Sequence, residues 1–164
     1  MNDEGTQRLE RVLEAEIDLY TRMRDLLHEE REILLCLDAE RLEDSTRRKA
    51  ELADEARVLE SGRQAVVAQV SREHSLPLEG LRLASLCERL GPEYTGLRRA
   101  HNQLVILLGV VRELLDGNRS MAGQSLAEVR ATVDVLGGML PERASYSADG
   151  ERRIATGRLL RRSA

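Results

Sequence analysis

Apolar residues recur along the N-terminal part of the chain with the period of an α-helix. Between residues 9 and 37 they are mostly three, four or seven positions apart, which places them on one face of a long helix. These residues are Leu9, Val12, Leu13, Ile17, Tyr20, Met23, Leu27, Leu34 and Leu37.

A new pattern begins at Asp38. Its carboxylate is suited to cap a second helix, with Glu40 in the positive first turn, so we predict a tight helical hairpin. The alternative is one continuous helix, since an interior Asp costs only about 0.7 kcal/mol.

The same periodicity predicts three further helices. The second continues to His74, before Pro77, and its apolar residues are Leu42, Leu52, Ala56, Leu59, Val66 and Val70. A short third helix is predicted in LRLASLCERL, residues 81–90, which Gly91 and Pro92 follow. The last helix extends from about Glu93 to Leu140, roughly 70 Å at about 1.5 Å per residue. Its apolar stripe is Leu97, Leu104, Leu108, Val111, Leu115, Ala122, Val129, Val133 and Leu136.

No segment has the alternating pattern of a strand, so the predicted fold class is all-α. We expect an antiparallel bundle of three long helices plus one short helix, with an irregular C-terminal tail. The 164 residues are enough for one domain with a core. Residues 1–141 are therefore predicted to form a single helical bundle domain, and residues 142–164 a flexible basic tail.

The last predicted helix is rich in glycine, which weakens a helix by about 1 kcal/mol per residue relative to alanine. Its glycines are Gly96, Gly109, Gly117, Gly123, Gly137 and Gly138, whereas residues 6–74 contain only Gly62. One interpretation is that they allow close helix packing inside a rigid bundle. The other is that the C-terminal half is loose or exposed until a partner orders it. In that case it offers an apolar face made of Leu126, Val129, Val133, Leu136, Met139 and Leu140.

Charge is unevenly distributed along the chain. The five arginines after residue 150 and Glu151 give the last 14 residues a net charge of +4, so the chain's total of −4 leaves −8 for residues 1–150. An acidic body without aromatic stacking residues or a basic recognition helix argues against nucleic-acid binding. No apolar run reaches the roughly 20 residues of a membrane span, and the N-terminus lacks a signal sequence. We expect a cytoplasmic protein without membrane insertion.

The sequence offers little for catalysis or for cofactor binding. His28, His74 and His101 are scattered, and none has the Glu-x-x-His spacing of a di-iron bundle. Phosphate-binding and nucleophile-elbow motifs are absent from the sequence. Cys36 and Cys87 lack metal-ligand spacing and are interpreted as buried or half-buried thiols. We therefore predict a protein that is not an enzyme and has no metal and no cofactor.

Three separate blocks resemble the FlgN family of flagellar type III export chaperones. The first, LLHEEREILLCLDAERLEDSTRRKAEL, matches through Leu26, Leu27, Glu30, Leu34, Asp38, Leu42, Thr46 and Lys49. The second, LLDGNRSMAGQSL, is similar through Leu114 and Asn118, although Met121 stands where a second Asn is usual. The third, SYSADG, resembles a Tyr-x-x-x-Gly close through Tyr146, Asp149 and Gly150, with Ser147 replacing the usual first Gly. The blocks occur in the family's order, and the resemblance covers nearly the whole chain.

The resemblance implies a cytoplasmic helical bundle without cofactor or catalysis. Members of the family hold the hook-associated proteins of the hook-filament junction by their C-terminal regions, prevent premature association and deliver them to the export apparatus. We place the contact with such a client between residues 118 and 140 and at Tyr146. The predicted partner-binding residues are Asn118, Met121, Leu126, Val129, Val133, Leu136, Met139, Leu140 and Tyr146.

Three points stay open at the level of sequence. Asp149 and Gly150 are hypothesised to turn the chain so that the Tyr146 ring lies on the apolar face; the alternative is a disordered linker. The arginine-rich arm is a candidate contact for an acidic client, the export ATPase or the export gate, or else a solvated tail. The alternative function is a self-associating helical bundle or coiled-coil structural protein without a client.

Overall fold

The computed structural model describes residues 4–76, 83–91, 94–139, 144–146 and 152–154, with side chains through residue 137, and helices account for most of these residues. The four helices are α1 Glu4–Cys36, α2 Ala39–Glu73, α3 Leu83–Arg89 and α4 Thr95–Met139. The predicted all-α fold with three long helices and one short helix is confirmed. In the C-terminal region, strands β1 Ala144–Tyr146 and β2 Arg152–Ile154 pair antiparallel, with Tyr146 opposite Arg152.

The predicted hairpin between α1 and α2 is present, so the continuous helix is excluded. Leu37 ends α1 with a left-handed backbone, φ 54°. The Asp38 side chain accepts a hydrogen bond from the Arg41 backbone N–H at 3.1 Å and caps α2. That bond satisfies one of the N–H groups that a helix start leaves unpaired.

Side-chain pairs show that α1 and α2 run in opposite directions. Lys49, near the start of α2, donates to Glu30, near the end of α1. Arg63, late in α2, donates through Nε to Glu16 Oε1 at 3.1 Å, early in α1. Residue numbers fall along one helix as they rise along the other, as in an antiparallel helix pair.

Helix α4 runs in the same direction as α1 and so opposite to α2. Near its start, Gly96 packs so closely on Glu10 that a methyl group on Gly96 would collide with the Glu10 carboxylate. Further along, Asn118 Nδ2 donates to the Leu27 carbonyl at 2.8 Å. The three long helices therefore form the predicted antiparallel bundle, with α2 opposed to both of its neighbours.

The apolar core is densest where the early part of α1 meets the late part of α2, α3 and the early part of α4. Its buried residues are Leu9, Leu13, Val66, Val70, Leu86, Cys87, Leu90, Tyr94, Leu97, Ala100 and Leu104. A smaller cluster of Met23, Leu27 and Val111 lies further along the bundle. Half of these residues therefore belong to the amphipathic stripes predicted for α1 and α4, and the others come mainly from α2, α3 and the connection between α3 and α4.

The connection between α3 and α4 depends on one glycine and one arginine. Gly91 has φ 91°, a conformation that residues with a side chain rarely adopt, and it lies two residues after Arg89, the last residue of α3. Arg98, in the first turn of α4, donates to the carbonyls of Cys87 at 3.3 Å and Gly91 at 3.1 Å. These bonds hold α3 against the start of α4.

By its internal contacts the chain divides into two units, residues 1–122 and residues 123–164. The first contains α1, α2, α3 and the larger part of α4, together with the core. The second contains the last part of α4 and the two strands. The predicted domain limit after residue 141 lies outside the described residues and stays a prediction, as does the flexible character of residues 142–164.

Candidate functional site: an exposed apolar face of α4

In the second unit, α4 carries four exposed apolar side chains on one face. Leu126 and Val129 are each 50% exposed, Val133 59% and Leu136 56%. Their spacing of three, four and three residues places them within less than a quarter of the helix circumference. The face is about 15 Å long, from Leu126 to Leu136, at about 1.5 Å per residue. Four predicted partner-binding residues are thus brought together on one surface.

The remaining circumference of this helical segment carries charged residues together with Ala127, Ala131 and Val135. Arg130, four residues after Leu126, borders the apolar face, whereas Glu128 and Asp134 lie further around the helix. Val135 is also exposed, at 57%, but it lies on the other side of the helix from the four residues of the apolar face. The segment therefore has one continuous apolar face, and residues on all sides of the helix are exposed here.

The glycines of α4 differ in what surrounds them. A methyl group added to Gly109, Gly117, Gly123 or Gly137 would meet no atom within 4 Å. Only at Gly96, among the described glycines of α4, does a neighbouring side chain occupy the space that a methyl group would need. Close packing thus accounts for Gly96 alone in this set, and the others lower the intrinsic stability of the helix without a packing reason.

The other predicted partner-binding residues do not lie on this face, or their side chains lie outside the described part. Asn118 is buried, at 3% exposed, and lies in the first unit. Met121 is half-buried. The side chains of Met139 and Tyr146 and the whole of Leu140 lie outside the described part, as do Asp149 and Gly150, so their contacts stay predictions. The turn was predicted between the paired strands β1 and β2, in residues that lie outside the described part, so it also stays a prediction.

Asn118 belongs to a buried polar cluster that joins all three long helices. Its Nδ2 donates to the Leu27 carbonyl at 2.8 Å and to Glu30 Oε2 at 3.0 Å. The second oxygen of Glu30, which is 4% exposed, accepts from Lys49 Nζ. Glu30, Lys49 and Asn118 each occur in the sequence blocks quoted above. Sequence reasoning singled them out but missed that they meet, because nothing in helix periodicity specifies contacts between helices.

Beside this cluster, still within residues 1–122, the bundle has an open groove of about 460 Å³. Apolar side chains and charged groups both contribute to its walls. The lining residues are Glu30, Leu34, Leu42, Thr46, Lys49, Leu115, Asp116, Asn118, Arg119 and Ala122. Residues of α1, α2 and α4 line the groove, and its surface is partly apolar and partly charged.

A second buried ion pair lies closer to the core. Glu16 is 3% exposed, and its Oε1 accepts from Arg63 Nε at 3.1 Å, while its Oε2 has no hydrogen-bond partner. Burial raises the pKa of the Glu16 carboxyl above its ordinary value, and the charge of Arg63 only partly offsets this effect. The pair stabilises the register of α1 against α2 at the cost of burying a carboxylate.

The part of the chain that the structure describes holds no group of three or more His, Cys, Asp or Glu residues placed to bind a metal ion.

The prediction for the cysteines is correct for Cys87, which is buried, and wrong for Cys36, which is exposed. Cys36 is the last residue of α1, beside the turn, where no other helix covers it. Within the described ranges, no helix has both the length and the apolar character needed to cross a membrane.

The fold is thus an antiparallel helical bundle whose candidate site is an exposed apolar helix face, an arrangement typical of proteins that bind other proteins. The family model described as FlgN protein matches residues 1–154, and the chain belongs to the FlgN family. No curated protein and no solved structure matches the chain. The FlgN family is a family of flagellar export chaperones and not of enzymes, which gives the general role of this protein in flagellum biogenesis.

Proposed function

We propose that this chaperone binds the C-terminal regions of hook-associated proteins of the hook-filament junction through the apolar face of α4. It does so in the cytoplasm, prevents the premature association of these clients and delivers them to the type III export apparatus. Family membership supports the role as a chaperone. The observation that carries the choice of surface is the half-exposed set of Leu126, Val129, Val133 and Leu136.

The physical basis of the proposed contact is the transfer of apolar surface out of water. Burying one Val or Leu side chain completely contributes roughly 1.5–3 kcal/mol. Four half-exposed side chains on one helix face can therefore supply several kcal/mol to a complex with an apolar client helix. Glycines without packing neighbours, such as Gly123 and Gly137, are consistent with a helix segment that becomes more ordered when the client binds.

Calorimetric titration with the purified C-terminal segments of the hook-associated proteins of the same organism tests the proposal. We expect saturable binding with a negative heat-capacity change, the signature of apolar burial. The absence of both heat and protease protection of residues 118–164 would contradict the chaperone assignment to these clients and favour the self-associating bundle.

A matched pair of variants tests the surface itself. Val133→Asp places a carboxylate on the apolar face and should weaken client binding at least about tenfold. Val135→Asp introduces the same residue into the same helix at an equally exposed position off that face, 57% against 59%, and should leave the affinity within about twofold. Equal losses in the two variants would show that a general effect on the helix, and not the face, is responsible.

Tyr146 is tested separately, because its side chain lies outside the described part. If its ring completes the apolar face, Tyr146→Ala weakens client binding by several-fold. Unchanged affinity removes Tyr146 from the proposed site without affecting the rest.

The arginine-rich arm is probed by deleting residues 155–164, with binding to the client and to the purified export ATPase measured in parallel.

A further inference from the structure

A second exposed apolar patch lies on α4 within the first unit. Val105 is 54% exposed, Ile106 70% and Val110 36%, although each is next in sequence to a buried core residue of the same helix. Leu104, Leu107 and Val111 point into the bundle, so Ile106 points almost directly away from it. No described part of the chain covers Ile106.

Two opposite charges flank this patch at equal distances. Arg99 is seven residues before Ile106 and Glu113 is seven residues after it. Seven residues are close to two helical turns, so both side chains fall on the same side of α4 as Ile106, about 10 Å from it on either side. Both are exposed, and neither forms an ion pair with any described residue.

We propose that two copies of this chain associate through this face of α4, with the helices antiparallel and the two-fold axis at Ile106. In such a pair, residues equally far from Ile106 face each other across the interface. Arg99 of each copy then meets Glu113 of the other, and the two Ile106 side chains meet at the centre. A parallel pair would instead place Arg99 beside Arg99 and Glu113 beside Glu113, which is repulsive.

The surroundings of Ile106 suit a close approach of two helices. Gly109 is next to it on the exposed side, and a methyl group there would meet no atom of the chain within 4 Å, so the bundle does not require a glycine at this position. In the antiparallel pair Gly109 faces Gln103 of the partner, whose longer side chain fits against a residue without one. The glycine reduces the distance between the two helix axes at the contact.

The small patch predicts a weak and concentration-dependent dimer. Three apolar side chains and two ion pairs bury less than the roughly 1,200 Å² of a stable interface, so we expect a dissociation constant on the order of 0.1 mM. The pairing uses residues 99–113 and is independent of the proposed client face at residues 126–136.

Sedimentation equilibrium of the full chain between about 10 µM and 1 mM tests the proposal. We expect the mass to rise with concentration from 18.4 kDa toward twice that value. Ile106→Glu brings two carboxylates together at the centre and should weaken dimerisation at least about a hundredfold. Val58→Glu, at an equally exposed apolar position on α2, is the control and should have no effect. A mass that stays at that of one chain up to 1 mM overturns the proposal.

Charge reversal tests the antiparallel register. Arg99→Glu alone and Glu113→Arg alone each convert two attractive pairs into two repulsive ones and should weaken the dimer about tenfold. The double variant restores opposite charges at both places and should recover wild-type dimerisation within about threefold. If the double variant dimerises as poorly as the single variants, or if the single variants dimerise normally, the proposed register is wrong.

Discussion

At the scale of residues, the most informative feature is the buried polar cluster of Glu30, Lys49 and Asn118. One residue comes from each long helix, and their hydrogen bonds and ion pair depend on one relative alignment of the three. Sliding any helix by a turn would leave a buried charge or amide without a partner, which costs more than the contacts it gains. The cluster therefore specifies the helix register.

Replacing Asn118 with alanine should lower the free energy of unfolding by about 1–3 kcal/mol, because the Leu27 carbonyl and the Glu30 carboxylate lose a buried donor. Asn102→Ala, at an exposed position of the same helix, is the control and should change stability by less than about 0.5 kcal/mol. Urea unfolding followed by circular dichroism measures both. Equal effects would mean that the hydrogen bonds of Asn118 contribute nothing specific.

Glu16 gives a prediction about pH. In the folded chain, burial raises the pKa of its carboxyl above the ordinary value, and the nearby charge of Arg63 offsets this only in part. Between the two values the folded chain binds more protons than the unfolded chain, so this group makes the free energy of unfolding fall as pH rises. Relative to Glu16→Gln, the wild type should lose stability as pH rises through the pKa of the unfolded carboxyl and on toward the higher pKa of the folded one.

Chemical unfolding of both proteins at several pH values measures this difference. Glu14→Gln removes the same charge at an exposed position of α1 and is the control for a change in net charge. The quantity to compare is the free energy of unfolding of the wild type minus that of Glu16→Gln. If this difference stays constant or grows as pH rises, the pKa of Glu16 is not raised in the folded chain.

At the scale of elements, the turn between α1 and α2 combines a well-formed helix start with a strained helix end. The Asp38 cap is the residue that periodicity and capping preference predict. Leu37, by contrast, adopts the left-handed conformation that glycine normally supplies at the end of a helix, and it is 65% exposed. Sequence alone does not indicate that Leu37 takes this role.

Leu37→Gly should raise the free energy of unfolding by about 0.5–1 kcal/mol, because it relieves the left-handed strain and gives up little buried surface. Leu35→Gly, at a position 64% exposed but within α1, should lower it by about 1 kcal/mol. Thermal unfolding at low micromolar concentration distinguishes the two. The same substitution two residues apart is thus expected to act with opposite signs, and a loss of stability in both variants would contradict this account.

At the scale of the whole molecule, the buried apolar residues all belong to residues 1–122 within the described part of the chain. A chain that ends at Ala122 should therefore fold as a bundle, with an unfolding midpoint within about 5 °C of that of the full chain. It should also lose client binding, because it lacks the face from Leu126 to Leu136. Calorimetry of both chains and titration with client segments measure the two effects.

A large drop in the midpoint of the shortened chain would show that the second unit contributes to the stability of the bundle. Retained client affinity would place the contact within the first unit, where the groove beside Asn118 is the alternative surface. The two readouts are independent, so stability and binding can be assigned to the two units separately.

The sequence by itself determined the number, length and order of the helices. Helix periodicity, the Asp38 cap and the Gly91 break are local signals, and each specifies an element without reference to the rest of the chain. The exposed face of α4 was also predicted, because amphipathicity is visible in the spacing of Leu126, Val129, Val133 and Leu136. The bounds differ from those predicted by a few residues, since helix ends depend on small balances of capping and fraying.

Only the tertiary structure decided which amphipathic residues are covered and which are not. Asn118 and Leu126 belong to the same helix and were predicted to act together, yet one is 3% exposed and the other 50%. Burial of a helix position depends on where the neighbouring helices begin and end and on their register. Those contacts join residues about 90 positions apart, such as Asn118 with Leu27, and local patterns of sequence contain no information about them.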